Sequence, residues 1–544
     1  MAEKELKRDP TSGTFSGEKP PKRTEWVYSM SGIFRDACYA LVAYNFLNYA
    51  KTAGLLESGE TYKAQLGVII ILSIIALIWD GINDPLMGII IEKCHFKTGK
   101  YRPWILIGAI GNCAAVLLMY LAKPTGWWFV ACFGIFYFLW DFVFTMNDIA
   151  YWSMLPSLTN DEKERNKLTT MVSVAAGIGQ AAMGGLTGLL VKADNINTIY
   201  GWLAIPTAIL FLASQTAIFF LCKERARDPK QEAISQKTKL TDLFTMVHRN
   251  APLRMVVFAI FFDYLMGAIT GSFGMDYFYF TYGFGGGLGG YIYVVQGVFT
   301  TVFSLLAQVL YGKISKKWNL MKILDWSFFI ALGLYAIFFI LAVPLFGDHP
   351  LAYSPLIDNE SNVATGVNIF AGTGWLIFIP QIFISMATSI FLLVLLVMMQ
   401  NAIDYNEYKF GERKEAVAFA WRPLDAKLSS ALKQGLYFLA LVMTGTIAVY
   451  NTIDETTKSH NAGDITSAQA ESQVQGAIAN LTRGQIIYFD CLYIGLAVAC
   501  LVAAYLFIKL GYHLSEEKHR EMVTELEKRH AQDALINENI PVTK

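Results

Sequence analysis

Residues Leu66–Ile91 read LGVIIILSIIALIWDGINDPLMGIII, an apolar run broken by two acids, Asp80 and Asp84. As a helix these residues rise about 39 Å, more than the ~30 Å of a bilayer's hydrocarbon core. At i and i+4 both carboxylates lie on one helical face. An ionised Asp near the middle of a spanning helix costs about 2.5–3.5 kcal/mol on the insertion scale. Two of them on one face call for a partner cation, which makes this run the first pointer to function.

Outward from this run the pattern repeats. The 544 residues are 54% hydrophobic and only 16% charged, against about 25% charged in a soluble domain. The apolar excess comes in blocks too long and continuous for barrel strands, which leaves helices as the spanning element. Twelve spans are predicted, near 30–54, 65–91, 103–122, 127–155, 168–191, 198–222, 252–282, 289–312, 321–346, 368–402, 427–450 and 485–511. With the N-terminus inside, the inner loops hold 24 Lys and Arg and the outer loops six: Lys51, Lys63, Lys123, Lys192, Lys458 and Arg483. The positive-inside rule then places both termini in the cytosol of a cell-membrane (inner or plasma membrane) protein.

The expected fold is an all-α polytopic membrane protein. A cytoplasmic tail (1–29) leads to a six-helix half (30–222), a polar cytoplasmic linker (223–251), a second six-helix half (252–511) and a cytoplasmic tail (512–544) that contains a charged helix. Two six-helix halves with a substrate site between them is the layout of major-facilitator transporters. A twelve-span channel or another twelve-span fold is the alternative from layout alone. The outer loops near 347–368 and 451–484 have no functional reading.

Asp148 is the third acid, in Thr145-Met146-Asn147-Asp148, and Asp36 the fourth, beside Arg35 and close to Tyr39. Clustered carboxylates with a hydroxyl such as Thr145 are hard oxygen ligands suited to a small cation. The same cluster is equally suited to hold a proton. Each acid taken singly also reads as half of a salt bridge. Trp152 shares a helical face with Asp148, and an indole beside an acid suits a sugar's apolar ring face and hydroxyls. Lys427, near the start of span eleven, reads either as a counter-ion to the acids or as a snorkelling lysine at a helix end. Arg35 carries the second alternative too, as an interface anchor.

Other chemistries are not supported. Seven cysteines show no paired metal spacing, and because five fall within apolar runs and two near helix ends no disulfide framework is expected. All seven histidines fall outside the spans, so any coupling uses carboxylates. The glycine run Gly283–Gly290 joins two hydrophobic helices with no strand before it and reads as an outer loop rather than a nucleotide-binding turn. No lysine loop for ATP is present, and the zero net charge gives no reason to expect a nucleic-acid partner.

Trp79-Asp80-Gly81-Ile82-Asn83-Asp84-Pro85-Leu86-Met87-Gly88 resembles the second-helix motif of the glycoside–pentoside–hexuronide:cation symporter family. The resemblance extends through Gly99-Lys100-Tyr101-Arg102-Pro103-Trp104, Asp148-Ile149-Ala150-Tyr151-Trp152-Ser153 and Ile403-Asp404-Tyr405-Asn406-Glu407-Tyr408-Lys409, in the family's order. It implies that Asp80, Asp84, Asp148 and Thr145 form a cation site, the three acids being the metal ligands if the ion is Na⁺. It also implies that Asp36, Asp148 and Trp152 contact sugar, with Arg35 and Tyr39 beside them, and that Lys427 lies near the cation site. One departure is Ser173, which stands where a melibiose-carrying member of the family has a sugar-contacting arginine.

The expected function is therefore alternating-access import of a glycoside, pentoside, oligosaccharide or hexuronide by a protein that is not an enzyme and has no cofactor. Na⁺ or H⁺ would be co-transported, with Li⁺ as a further option. Membrane lipid is the expected surrounding and a monomer the expected functional unit. The alternatives are a Na⁺-coupled carrier of a non-sugar substrate such as a lysolipid, or a non-transporting sugar sensor.

Overall fold

The computed structural model describes residues 20–94, 96–159, 162–224, 240–284, 288–344, 353–357, 364–372, 374–411, 418–419 and 421–538. The first set of helices is α1 (Lys22–Ala43), α2 (Phe46–Ala50), α3 (Glu60–Lys93), α4 (Arg102–Leu121), α5 (Trp127–Leu158), α6 (Glu162–Leu190) and α7 (Ile196–Leu221). After α8 (Leu240–Arg249) come α9 (Ala251–Tyr282), α10 (Leu288–Ile314) and α11 (Leu320–Ala342). They are followed by α12 (Phe378–Phe410), α13 (Trp421–Thr444), α14 (Ile447–Ala462), α15 (Ser467–Ala479), α16 (Arg483–Gly511) and α17 (Glu516–Glu538).

Ten described helices are long and apolar enough to cross a membrane, and α13 with α14, bent by 92°, makes an eleventh candidate. The predicted twelve fits if α1 is added. Its buried Ser29, Ser31, Arg35 and Asp36 make it too polar to pass on composition, and it packs between α6 and α7. Side chains such as Ile135 and Ile340 stay about two-thirds exposed on the bundle's outside, 65% and 67%, as suits a surface that faces hydrocarbon.

The helices pack as two sets. In the first, α1 lies on α6 and α7, and α4 on α5 and α7. In the second, α9 lies on α16, α13 and α12, and α11 on α12. The sets meet where α3 packs on α13 and α6 on α10. Aromatic stacking fills the first set at the pole that carries α2: the Phe46 and Phe133 rings are 4.7 Å apart and nearly parallel.

Local chemistry fixes the helix ends. At the start of α4 the Glu224 carboxylate accepts from the amides of Lys100, Tyr101 and Arg102 at 2.8, 3.0 and 2.7 Å. Those donors have no partner within the helix, and the helix dipole favours an anion there. Asn250 caps α9 by accepting from the Leu253 amide at 3.0 Å. Thr466 and Thr482 open α15 and α16 with capping boxes.

Four expectations change. A two-stranded antiparallel hairpin, Tyr353–Ile357 with Ala364–Gly372, interrupts the otherwise helical chain. Span ten accordingly starts near Trp375, not at 368. The outer loop at 451–484 is mostly helix, in α14 and α15. The charged helix of the C-terminal tail is docked: His519 Nε2 lies 3.0 Å from Asp404 Oδ2 and Arg529 Nη1 donates to the Tyr408 carbonyl at 3.1 Å.

Candidate functional site

The acids of α3 and the lysine of α13 meet where the two sets touch. Pro85 sits inside α3, and a proline takes away the hydrogen bond that the carbonyl four residues earlier would accept, here Gly81. Gly81 faces α13 at close range: a Cβ there would lie 3.1 Å from Leu424 Cδ1. This approach lets Lys427 reach α3. Its ammonium lies 2.9 Å from Asp80 Oδ2, pairs with Asp84, and donates to the Asp80 carbonyl at 3.3 Å. Thr145 Oγ1 donates to Asp80 Oδ1 at 3.1 Å. Of the two readings of Lys427, the structure takes the counter-ion.

The expected set of Asp80, Asp84 and Asp148 does not converge as three ligands. Among the described residues no three acids, histidines or cysteines are grouped as a metal site. Lys427 occupies the place between Asp80 and Asp84. Asp148 is instead the partner of Arg35, with Nη1 3.2 Å from Asp148 Oδ1. It still interacts with Asp80 and Lys427, and so stands between two clusters.

The second cluster is built on α1. Arg35 turns its guanidinium back on its neighbour, with Nε and Nη2 at 2.9 and 2.7 Å from Asp36 Oδ2. Adjacent residues do not face each other on a helix, so this pair depends on what surrounds it. Gln180 of α6 donates to the other Asp36 oxygen at 3.0 Å. Gly179 allows that reach, because a Cβ there would lie 2.1 Å from the Ile33 carbonyl oxygen. On the far side the guanidinium carbon lies 4.3 Å from the Tyr151 ring centre and 5.1 Å from that of Trp152, a cation–π arrangement. Tyr151 is fixed by Tyr28: the rings stack at 4.5 Å, and the Tyr151 hydroxyl donates to the Tyr28 carbonyl at 2.7 Å. Arg35 is 3% exposed and Trp152 37%, so the arginine is not a surface anchor and the indole keeps an open face.

Tyr39 packs on Trp140 and Phe144, on the α5 segment that leads to Thr145. Ser173 is exposed on α6.

Several neighbours escaped the sequence reading. Asp141 is 6% exposed and interacts with Asp80, Asp84 and Lys427. The signal was present: Asp141, Thr145, Asp148 and Trp152 fall at i, i+4, i+7 and i+11, one stripe of α5. Lys51, read as a loop charge, is 2% exposed. Its ammonium lies 3.9 Å from Asp276 Oδ1 and 2.5 Å from the Tyr437 hydroxyl. The Tyr437 and Tyr450 hydroxyls each donate to Asp276 at 2.5 Å. At the same pole Gly54 N donates to Asp454 Oδ1 at 2.6 Å and Gly59 N to Asn451 Oδ1 at 3.2 Å. These bonds tie the first set of helices to the second. Beneath them lies a cavity of about 470 Å³ walled by both sets.

Comparison with known proteins places this arrangement. A family model described as MFS/sugar transport protein matches residues 60–482. The chain is 25% identical over 519 residues to the raffinose carrier protein of Pediococcus pentosaceus, covering 92% of this chain and 71% of that protein. It is 26% identical over 516 residues to the lactose permease of Lactobacillus delbrueckii subsp. bulgaricus, covering 92% and 72%. Among solved structures, an inward-facing, occupied bacterial homologue of the human lysosomal transporter Spinster aligns over 92% of this chain and 97% of its own, with TM-score 0.56 and 12% identity. The D-xylose–proton symporter aligns over 81% and 97%, with TM-score 0.50 and 14% identity. Relatives and structural neighbours are carriers and not enzymes, and they share the major-facilitator fold. With its two sets of apolar helices and its buried acids, the chain belongs to the MFS/sugar transport protein family.

Proposed function

We propose that the protein is a cation-coupled symporter that imports a glycoside, pentoside, oligosaccharide or hexuronide by alternating access. One observation carries this reading. Asp148 stands between a carboxylate–lysine cluster and an arginine–aspartate pair that lies beside an open indole face. Sugar hydroxyls would bond to Asp36, Asp148 and Arg35, and the apolar ring face would lie on Trp152.

A Na⁺ or a proton arriving at Asp80 and Asp84 would take over the charge balance that Lys427 now supplies. The lysine would be released, and the field at Asp148 would change with it. Cation and sugar then favour each other through Asp148, and the coupling is reciprocal by linkage. Names of relatives such as the raffinose carrier protein and lactose permease support the sugar, and that of a putative glycoside/cation symporter of Escherichia coli supports the coupling. With the positive-inside orientation the α2 pole faces outward, and the bonds that join the sets there describe a carrier closed to the outside.

The test is uptake into proteoliposomes with a panel of α- and β-glycosides, pentosides and glucuronides, under an imposed Na⁺ or pH gradient. Expected is uphill accumulation under one gradient, lost in Asp80→Asn and Asp84→Asn while sugar counterflow persists. Undiminished accumulation in both variants would sink the coupling site. Displacement of bound sugar by lysolipid, with no glycoside transported, would favour a non-sugar carrier.

A further inference from the structure

The cavity beneath the α2 pole carries a charge that the proposed site does not use. Ser430, Lys433, Gln434 and Tyr437 line its wall from α13. Their spacing of i, i+3, i+4 and i+7 makes one helical stripe, which begins about one turn beyond Lys427. Lys51 also lines the cavity, but Asp276 offsets its charge from behind Tyr437 and Tyr450 and is itself fully buried. Lys433 has no such offset. Among the described residues no carboxylate pairs with it, and the one charged group it senses is the like-charged Lys51. The cavity wall thus holds two ammonium groups against one carboxylate.

Lys433 is half-buried, and an unpaired charge drawn partly out of water favours a counter-charge or water beside it. The remaining lining is uncharged: Leu47, Val191, Met275 and Phe284 make it largely apolar, and Asn45, Asn48, Thr187 and Gln434 offer hydrogen bonds. A volume of about 470 Å³ falls within the ~300–1,000 Å³ of small-molecule sites.

We propose that Lys433 is an anion-recognising residue of the substrate cavity, so that the carrier takes an acidic saccharide, one bearing a carboxylate or a sulfate ester. The proposal rests on the sugar-carrier reading above and narrows its substrate class. Asn45, Asn48 and Gln434 would bond to the hydroxyls nearest the acidic group, the rest of the sugar lying toward Asp36, which interacts with the lining residue Tyr44, and the Lys433 ammonium would make a charge-assisted bond to the acidic group.

The test is calorimetric titration of the purified full-length carrier with methyl glucoside, methyl glucuronide and methyl 6-O-sulfoglucoside, each as α and β anomers. Wild type should bind at least one anionic glycoside about ten-fold or more tighter than the matched glucoside, the gain of one charge-assisted bond. Whether glucuronide or sulfoglucoside leads tells carboxylate from sulfate. In Lys433→Gln the ratio of anionic to neutral affinity should fall to about one, and Lys433→Arg should retain most of the preference, since the charge stays. Equal or tighter binding of the neutral glycoside by wild type would overturn the proposal, with no variant needed. So would an unchanged ratio in Lys433→Gln. Neutral-only binding leaves the sugar-carrier reading intact, whereas no binding of any glycoside removes that reading as well.

Discussion

The Lys427 ammonium lies 2.9 Å from the Asp80 carboxylate and also donates to the carbonyl of the same residue at 3.3 Å. It is held by α3 as much as by its own helix, although the two residues are 347 positions apart. Both side chains are about one-fifth exposed, at 19% each, so the pair is neither a surface bridge nor a sealed one.

Lys427→Gln leaves Asp80 and Asp84 facing each other without a cation. Breaking a buried pair costs about 3–5 kcal/mol, and the partial exposure of this one puts the expected loss near or below the lower figure. Thermal unfolding in detergent should show a clearly lowered midpoint. The double variant Lys427→Gln/Asp84→Asn removes one charge of each sign and should recover much of the loss. Equal midpoints for Lys427→Gln and wild type would show that the pair does not hold α3 to α13.

Arg35→Lys keeps the charge but not the fork that holds Asp36 while touching Asp148. Sugar uptake should fall by about ten-fold or more, from the loss of roughly one charge-assisted bond. Gln180→Ala frees one Asp36 oxygen and should cost less. Initial rates across a sugar concentration series check this order, and the reverse order would show that Gln180 rather than Arg35 orients Asp36.

Trp152→Ala removes the open indole face. Aromatic stacking contributes about 0.5–1.5 kcal/mol beyond area burial, so half-saturation for sugar should rise several-fold or more. Trp152→Phe should fall between wild type and Ala. A half-saturation constant unchanged in Trp152→Ala would remove the indole from the sugar site.

Lys51 and Asp276 join the two sets of helices at the α2 pole. Lys51→Met and Asp276→Asn should each loosen that pole, read as faster labelling of a cysteine placed on the cavity wall. The double variant should fall short of the sum of the two, since contacting residues couple by about 0.5–3 kcal/mol. Strict additivity would mean that the 3.9 Å pair contributes nothing to closure.

Much of this was legible along the chain. The spans at 65–91, 127–155 and 252–282 correspond to α3, α5 and α9 because continuous apolar runs declare themselves by length alone. Asp80, Asp84, Asp148 and Trp152 stood out because a charge or an amphipathic ring in such a run is rare and costly. Lys51 did not, because a lysine beside a span end reads as solvated until Asp276 and Tyr437 are seen around it. Gln180 was missed because a single polar residue in a helix has no periodic signature, whereas Lys433 carried a signal, a charge inside the predicted span 427–450, that was passed over.

The sequence by itself determined that the chain crosses a membrane many times as helices and that acids lie within the crossings, since hydropathy and charge are properties of each segment. Tertiary structure decided the partners: Lys427 with Asp80 and Asp84, Arg35 with Asp36 and Asp148, Lys51 with Asp276. The reason is geometric. A helix fixes which residues share its own face but not the face its neighbour turns toward it. The close approaches at Gly81 and Gly179, the stacked Tyr28 and Tyr151, and the caps at the helix ends set those rotations. Asp80 and Asp84, a pair of costly charges on one face when met in the sequence, are in the fold two arms around one lysine.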